Sequence, residues 1–330
     1  SKRNLPICQW KRAMESKKVD ILAGGIMHDL FRRGLPNDRN MLSASALVSP
    51  AHYHLVVQSH EEFLKAGATL IVTNNYYVTP GLGFTPDEIR EYSQAAGELA
   101  ADARKRANRT ERAKICGSLP PLMHSLRSDR TIEHQQGLDT YLLIGEALLP
   151  YVDVLLAETM SSIAEAELAF EAVQPLQKPV MVSFALNSTG QLRSGEDVVE
   201  SVQRLVKFSR GLTELQPEQR NMLCGILFNC SQPEDIAKAL KQLTDAPGLM
   251  DELKELEIRI GGYGDHISPL SKAGAMEESL VPGALQSVMD MEVYSKFAMR
   301  WIDEGASIVG GCCGIPPDYL QRIAEILSLQ

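Results

Sequence analysis

No apolar run in this chain approaches the ~20 residues that a membrane-spanning helix needs. Positive charge is not in excess either: 33 Lys and Arg stand against 42 Asp and Glu, a formal net charge of -9. Nucleic acid and anionic membrane surfaces carry the same sign, so neither is expected as a partner. The opening residues Ser1-Lys2-Arg3-Asn4 lack the apolar segment of a secretory signal. Cysteine is scarce, six in 330 residues and in no regular framework, as fits a reducing compartment where thiols stay free. The expected location is the cytoplasm. A Gly-x-Gly-x-x-Gly turn is also missing, since the first candidate strand is followed by Gly24-Gly25-Ile26-Met27-His28, which argues against a doubly wound dinucleotide fold. With neither a solenoid repeat nor a low-complexity linker to divide it, the chain reads as one domain, 1–330.

What the sequence does contain is an ordinary globular composition, 44% hydrophobic and 23% charged. Eight short β-branched apolar runs recur, at 19–23, 68–73, 113–117, 152–157, 179–184, 223–229, 257–263 and 306–311. Between them lie amphipathic stretches at 50–66, 86–108, 140–149, 163–173, 196–209, 233–242 and 291–304. Near-continuous apolar runs alternating with helices indicate a parallel sheet covered on both faces. Eight such units filling the chain predict an α/β fold, a single-domain (β/α)8 TIM barrel. Two connections are longer than usual: 210–222, expected on the bottom face, and 265–290, a candidate lid or oligomer contact on the top face.

In a barrel the chemistry gathers at the C-terminal strand ends. Those ends read Gly24-Gly25, Thr73-Asn74-Asn75, Gly117-Ser118, Glu158-Thr159, Ser183, Asn229-Cys230, Tyr263 and Gly311-Cys312-Cys313. Cys230 closes the sixth run, and Cys312 and Cys313 close the eighth, so all three can meet over one mouth. Free cysteine usually serves as a small buried hydrophobe. That reading suits Cys8, Cys116 and Cys224, which have no convergent partners. Adjacent cysteines framed by Gly310-Gly311 and Gly314 fit zinc ligation better, with three thiolates and a fourth tetrahedral position left open. A vicinal disulfide between Cys312 and Cys313 is the alternative, strained because adjacent Cα atoms lie only ~3.8 Å apart. A three-sulfur zinc centre is electron-rich, poorly suited to hydrolysis and well suited to holding a substrate thiol as thiolate. The expected chemistry is alkyl transfer to a thiol.

The segments Gly225-Ile226-Leu227-Phe228-Asn229-Cys230-Ser231-Gln232-Pro233-Glu234 and Gly305-Ala306-Ser307-Ile308-Val309-Gly310-Gly311-Cys312-Cys313-Gly314 resemble the homocysteine S-methyltransferase family. The similarity runs from about Val19 to the C-terminus. It implies a homocysteine-binding (β/α)8 barrel with Cys230, Cys312 and Cys313 as the zinc ligands through which catalysis runs. It implies that Glu158 binds the substrate amino group, with Gly24, Gly25, Thr73 and Ser183 lining the amino-acid pocket. Each has a plainer reading beside it. Glu158 could be a first-turn charge on a helix starting near Ser161. Thr73 and Ser183 could bond local backbone. Tyr263 could pack against a substrate chain or only rim the barrel.

The chain departs from the family where Ala23 stands in place of Asp, and where Tyr263-Gly264-Asp265 stands in place of Tyr-x-Asn. Loss of the Asp should weaken binding of the acceptor's ammonium unless Asp29 or Glu158 compensates. A Trp common before a Ser-Ala step is also replaced, in Met41-Leu42-Ser43-Ala44. Among the histidines, His52, His54 and His60 share one expected helix and read as surface or packing residues, while His28 and His266 could approach the pocket. The expected activity is zinc-dependent methylation of homocysteine to methionine, with S-methylmethionine or S-adenosylmethionine as donor. The expected partners are these small molecules, with oligomer formation left open. The alternatives are a zinc-binding barrel impaired in catalysis that serves in binding or regulation, or methylation of another thiol or a selenol.

Overall fold

A computed structural model describes residues 19–215, 222–265 and 289–329. Eight parallel strands close into a barrel in sequential order, with the last strand pairing the first. They are β1 (Asp20–Ala23), β2 (Leu70–Val72), β3 (Lys114–Leu119), β4 (Val154–Met160), β5 (Val180–Ala185), β6 (Leu223–Asn229), β7 (Arg259–Gly264) and β8 (Ile308–Gly311). The TIM-barrel expectation is met, and each strand lies within three residues of its expected bounds. The surrounding helices include α1 (Ile26–Arg32), α2 (Tyr53–Lys65), α3 (Pro86–Arg106), α4 (His134–Leu148), α5 (Ile163–Ala172), α6 (Val198–Leu215), α7 (Pro233–Asp245), α8 (Leu249–Glu255), α9 (Met291–Asp303) and α10 (Pro317–Ser328).

Alternation along the strands sorts the core into two layers. Leu22, Leu70, Val72, Cys116, Val154, Leu156, Met181, Leu227 and Ile308 fill the barrel interior. Their neighbours, such as Ile21, Ile71, Ile115, Leu155, Val182, Ile226 and Val309, pack outward against the helices. Both faces of every strand are therefore apolar, which is why the strands read as unbroken hydrophobic runs. An interior filled this way leaves the polar side chains to the strand ends. At the N-terminal end, Arg259 donates to Asp20 at 2.6 Å and to Ser307 Oγ at 3.0 Å, stitching β7, β1 and the β8 approach together. This buried ion pair has hydrogen-bond partners on both sides, the condition under which burial of charge is tolerated.

Of the two long connections, the first differs from expectation and the second lies almost wholly outside the described residues. The expected 210–222 connection begins as helix, because α6 continues through Leu215; residues 216–221 lie outside the described residues. Gly211 interrupts the sequence pattern there without ending the helix, a cost of about 1 kcal/mol that packing offsets. The 265–290 connection is outside the described residues except at its two ends, as are Cys8 and His266.

At the C-terminal face one side chain holds two strand ends together. The hydroxyl of Tyr294, on α9, lies 2.7 Å from the Gly310 carbonyl and 3.0 Å from the Gly264 carbonyl, and it accepts from the Gly264 N–H at 3.1 Å. Its ring is fully buried and meets Trp301 edge-on at 5.9 Å. The ends of β7 and β8 are thus set side by side, so residues 265 and 312–313 leave the barrel as neighbours. The Cys312 N–H continues the ladder onto the Gly264 carbonyl at 2.9 Å.

Candidate active site

The three cysteines that the sequence singles out meet at the barrel mouth. Cys230 Sγ lies 3.1 Å from Cys312 Sγ and 3.9 Å from Cys313 Sγ, and the last two are 3.9 Å apart. Zn–S bonds of about 2.3 Å at tetrahedral angles place sulfurs about 3.8 Å apart, which the two longer separations match and the shortest undercuts. An Asp265 carboxylate oxygen joins them, with all four ligand atoms within 4.8 Å of one another. The donor set therefore fits a zinc ion. Asp265 is buried, accepts from the Cys313 N–H at 3.2 Å and donates its own N–H to the Ser231 carbonyl at 3.0 Å. In the sequence this residue stands out only as a departure from Tyr-x-Asn. Its place in the cluster depends on the register of β7 against β8, which no local pattern announces.

The glycines around the cysteines have steric causes. A Cβ on Gly25 would lie 2.5 Å from the Cys312 carbonyl oxygen, and Gly25 holds φ at +70°. A Cβ on Gly310 would lie 2.0 Å from the Leu22 carbonyl oxygen. Both contacts are backbone against backbone, so only glycine lets β1 and β8 approach this closely. Thiol chemistry here follows from crowding. Hydrogen bonding from Cys230, followed by burial and by charge on the neighbouring sulfurs, pushes the Cys312 and Cys313 thiols well above the usual range. Metal-free protein exposed to dioxygen is expected to join Cys230 to Cys312, each thiol giving one proton and one electron to the oxidant. Non-reducing peptide mapping checks this; a dominant Cys312–Cys313 link would contradict it. Cys116 and Cys224 sit deeper, where burial raises both thiols, Cys224 to about 12.

Across the mouth from the sulfurs stands Glu158, near the end of β4 and 5% exposed. It is not a helix cap: α5 is capped by Ser162, whose hydroxyl accepts from the Glu165 N–H. The Ser118 hydroxyl donates to Glu158 at 2.5 Å. Burial raises the Glu158 pKa to about 8, opposed by the Ser118 hydrogen bond and reinforced by Cys230. Thr73 Oγ1 accepts from the Ser118 N–H at 2.9 Å and donates to Asn75 Oδ1 at 2.6 Å, so it supports Ser118 through local bonds. Ser183 Oγ donates to Asn229 Oδ1 at 2.7 Å. Tyr263 is fully buried in the interior cluster, and its hydroxyl has no hydrogen-bond partner among the described residues. Its ring covers Gly24, where an added Cβ would meet it at 3.3 Å.

Ala23 packs with the outer-layer core, not with the interior cluster. Asp29 does not stand in for a carboxylate at the mouth. Its oxygens are taken by Arg32, by Arg33 at 2.6 Å and by Ser59 at 2.5 Å, on the flank of the barrel. Burial opposes ionisation of Asp29, but the Arg33 and Ser59 bonds outweigh it and hold the pKa below the ordinary value. His28 comes nearer the centre. Its Nδ1 accepts from the Gly314 N–H at 3.2 Å, and burial lowers its pKa to about 4. The neutral ring therefore carries its proton on Nε2. His60 is buried on α2, and His54 is exposed on the same helix.

Two aromatic residues that the sequence reading does not place in the site come close to it. Tyr76 and Tyr77 follow β2, meet edge-on with ring centroids 4.9 Å apart and remain partly exposed. Burial first, and then the charges of Cys313 and Cys230, raise the Tyr77 hydroxyl well above its ordinary range. The Tyr76 hydroxyl pairs with Ser125 in the β3–α4 loop and reaches Thr159. An aromatic pair after an Asn-Asn turn was the available signal.

The sequence profile of the homocysteine S-methyltransferase family matches residues 20–327. The chain belongs to that family. It is thereby placed among the methyltransferases. Relatives include betaine–homocysteine S-methyltransferase 1 of Bos taurus, 26% identical over 328 residues that cover 96% of this chain and 74% of the relative. Homocysteine S-methyltransferase 1 of Brassica oleracea var. italica is 24% identical over 332 residues, 93% of each chain. S-methylmethionine–homocysteine S-methyltransferase BHMT2 of Pongo abelii is 24% identical over 320 residues, covering 96% of this chain and 80% of the relative. Among solved structures, the metallated form of the homocysteine methyltransferase MmuM from Escherichia coli superposes with a TM-score of 0.73 at 21% identity, over 96% of this chain and 99% of that one. This likeness shows a shared barrel fold. Among the described residues, no helix is long and apolar enough to cross a membrane.

Proposed function

We propose that this chain is a zinc-dependent homocysteine S-methyltransferase that takes its methyl group from a sulfonium donor and acts in the cytoplasm. The observation that carries the reading is the convergence of Cys230, Cys312 and Cys313 at 3.1–3.9 Å, facing a buried carboxylate across the same mouth. Cys230, Cys312 and Cys313 would hold the metal, with Asp265 within reach of it. When bound, zinc supplies a lowering of the acceptor thiol's pKa that keeps its sulfur ionised and nucleophilic near neutral pH.

The chain's own residues then divide the work. Glu158 offers its carboxylate to the acceptor's ammonium, and Ser118 steadies it. Gly24 and Gly25 keep the floor of the pocket free of side chains, Gly24 against the Tyr263 ring and Gly25 against the Cys312 backbone. Thr73 and Ser183 act at one remove, by fixing Ser118 and Asn229. Tyr76 and Tyr77 stand near enough to the sulfurs for thiolate charge to act on both hydroxyls. Their electron-rich faces and the anionic centre favour a cationic donor. In the transfer itself the acceptor's sulfur lone pair forms the new S–CH3 bond. The donor's S–CH3 bond breaks in line, and its electron pair stays on the donor sulfur, which becomes a neutral thioether. No protein group need exchange a proton in that step, so catalysis rests on positioning and on the prepared nucleophile.

The test is methionine formation from homocysteine with S-methylmethionine, S-adenosylmethionine or betaine as donor, with and without a zinc chelator. Turnover with a sulfonium donor, lost on chelation and restored by zinc, is the expected result. Turnover with betaine alone would overturn the donor class. Absence of product from every donor would overturn the activity. Replacing homocysteine by other thiols and by selenohomocysteine in the same assay reads the acceptor range.

A further inference from the structure

The described residues include two strand-end positions where a non-glycine residue takes a left-handed backbone at the thiolate centre: Thr159 with φ at +61° and Cys230 with φ at +47°. For a β-branched residue this conformation is a strained outlier, and it persists only where the surroundings enforce it. The enforcement is visible. Asn229 grips Thr159 twice, its Oδ1 accepting the Thr159 N–H at 3.1 Å and its Nδ2 donating to Thr159 Oγ1 at 2.8 Å. Ser183 donates to the same Oδ1 at 2.7 Å and so fixes which end of the amide points where. A break in the β4–β5 register between Ala157 and Met160 accommodates the turn.

Gripping Thr159 aims its proton. Because Oγ1 accepts from Asn229, its own hydrogen is left to donate; Cys230 Sγ lies 3.8 Å from it, and the Tyr76 hydroxyl is the other acceptor in reach. The other hydrogen of Asn229 Nδ2 points to Cys312 Sγ, also at 3.8 Å. Two of the three sulfurs thus each face a polar hydrogen delivered by one pair of residues. These are long contacts, of the weak kind that sulfur accepts, and their worth lies in drawing charge off the sulfur.

We propose that Thr159, held in its strained conformation by Asn229, is a positioning residue that damps the nucleophilicity of the protein's own ligand sulfurs. The acceptor's sulfur then stands as the most reactive one in the site, and methylation falls on substrate rather than on Cys230. This rests on the thiolate-centre reading proposed above. Neither residue need touch substrate to act in this way.

The experiment uses the full chain loaded with Co(II), without acceptor, and three variants: Thr159→Val, Thr159→Gly and Thr159→Ser. Iodoacetamide alkylates an exposed sulfur as the lone pair displaces iodide, and peptide mass spectrometry reads Cys230 against Cys313 as internal reference. Thr159→Val keeps the shape and removes the hydroxyl. Thr159→Gly removes the hydroxyl and the backbone strain together. Both are expected to raise Cys230 alkylation about two- to fivefold, the size of a weak hydrogen bond, and to shift the sulfur-to-cobalt charge-transfer band to lower energy. Thr159→Ser is expected to keep the parent's values. The glycine variant should also melt no lower than the parent, a combination of retained stability and lost protection that a merely structural role would not produce. Unchanged Cys230 reactivity and band position in the valine and glycine variants would overturn the proposal. Absence of any sulfur-to-cobalt band in the parent would overturn the thiolate-centre reading itself, and this proposal with it.

Discussion

Replacing Cys312 by serine is expected to lower kcat/KM for methyl transfer by about 10³-fold and to leave far less than one equivalent of zinc on the protein, since losing an outer-shell partner alone typically costs about 10–100-fold. Serine matches cysteine in shape, but its hydroxyl is a poor ligand and does not ionise near neutral pH. Cys312 is the sulfur with neighbours on every side. It packs with Leu22 and Tyr263 inside the barrel, contacts Cys230 at 3.1 Å and faces the Asn229 amide. Its loss removes one of the three thiolate donors and leaves only the Cys230 and Cys313 sulfurs, 3.9 Å apart, to hold the metal. A chromophoric chelator assay of zinc content, run beside the kinetics, checks both halves. Cys116→Ala supplies the control, since Cys116 lies deeper in the barrel and is expected to leave zinc content intact. A Cys312→Ser protein that retained both full zinc and full activity would show the ligand assignment to be wrong.

Glu158→Gln is expected to act in opposite directions on binding and on stability. In the folded protein burial raises the Glu158 pKa to about 8, whereas an unfolded glutamate titrates near its ordinary value of ~4.3. Between these values the folded state holds a proton that the unfolded state has released. Its contribution to stability is therefore fully present below about pH 4.3 and is lost as pH rises through about 8. The glutamine variant has no such proton to lose. It is expected to be more stable than the parent at pH 8 and above, by roughly 3–5 kcal/mol as an upper bound, and to show a flatter dependence of denaturant midpoint on pH. Binding of an ammonium-bearing acceptor should meanwhile weaken by about 10²–10³-fold, as when one partner of a buried charged hydrogen bond is removed. Calorimetric titration of homocysteine into the zinc-loaded variant measures this. Unchanged affinity would show that Glu158 does not meet the ammonium. Unchanged stability at pH 8 would show that the carboxyl is ionised in the empty site.

These two residues illustrate how much of the site is legible in the chain alone. The cysteines stand out because adjacent thiols between glycines have no common packing role, and their strand ends can be counted. Glu158 stands out because it follows an apolar run that must end at the barrel mouth. The helices are less exact for identifiable reasons. Helix α4 begins at His134, six residues before its apolar stripe, because Glu133 caps it by accepting from the Gln136 N–H and its first turn is polar. Helix α6 passes through Gly211, where the amphipathic pattern breaks.

The sequence by itself determined the barrel, its eight strands and the three sulfurs at one end of it. It could do so because a sheet buried on both faces must be apolar along its whole length, and because strand order in such a barrel follows chain order. Only the tertiary structure decided the company those sulfurs keep. Asp265 reaches them through the register of β7 against β8, held by Tyr294. Thr159 and Asn229 reach them through a left-handed turn that no composition or spacing encodes. The charge state of Glu158 is likewise a property of its burial and not of its place in the chain. Chain order can say which strand end a side chain occupies; its neighbours, its dielectric and its strain exist only once the strands have closed.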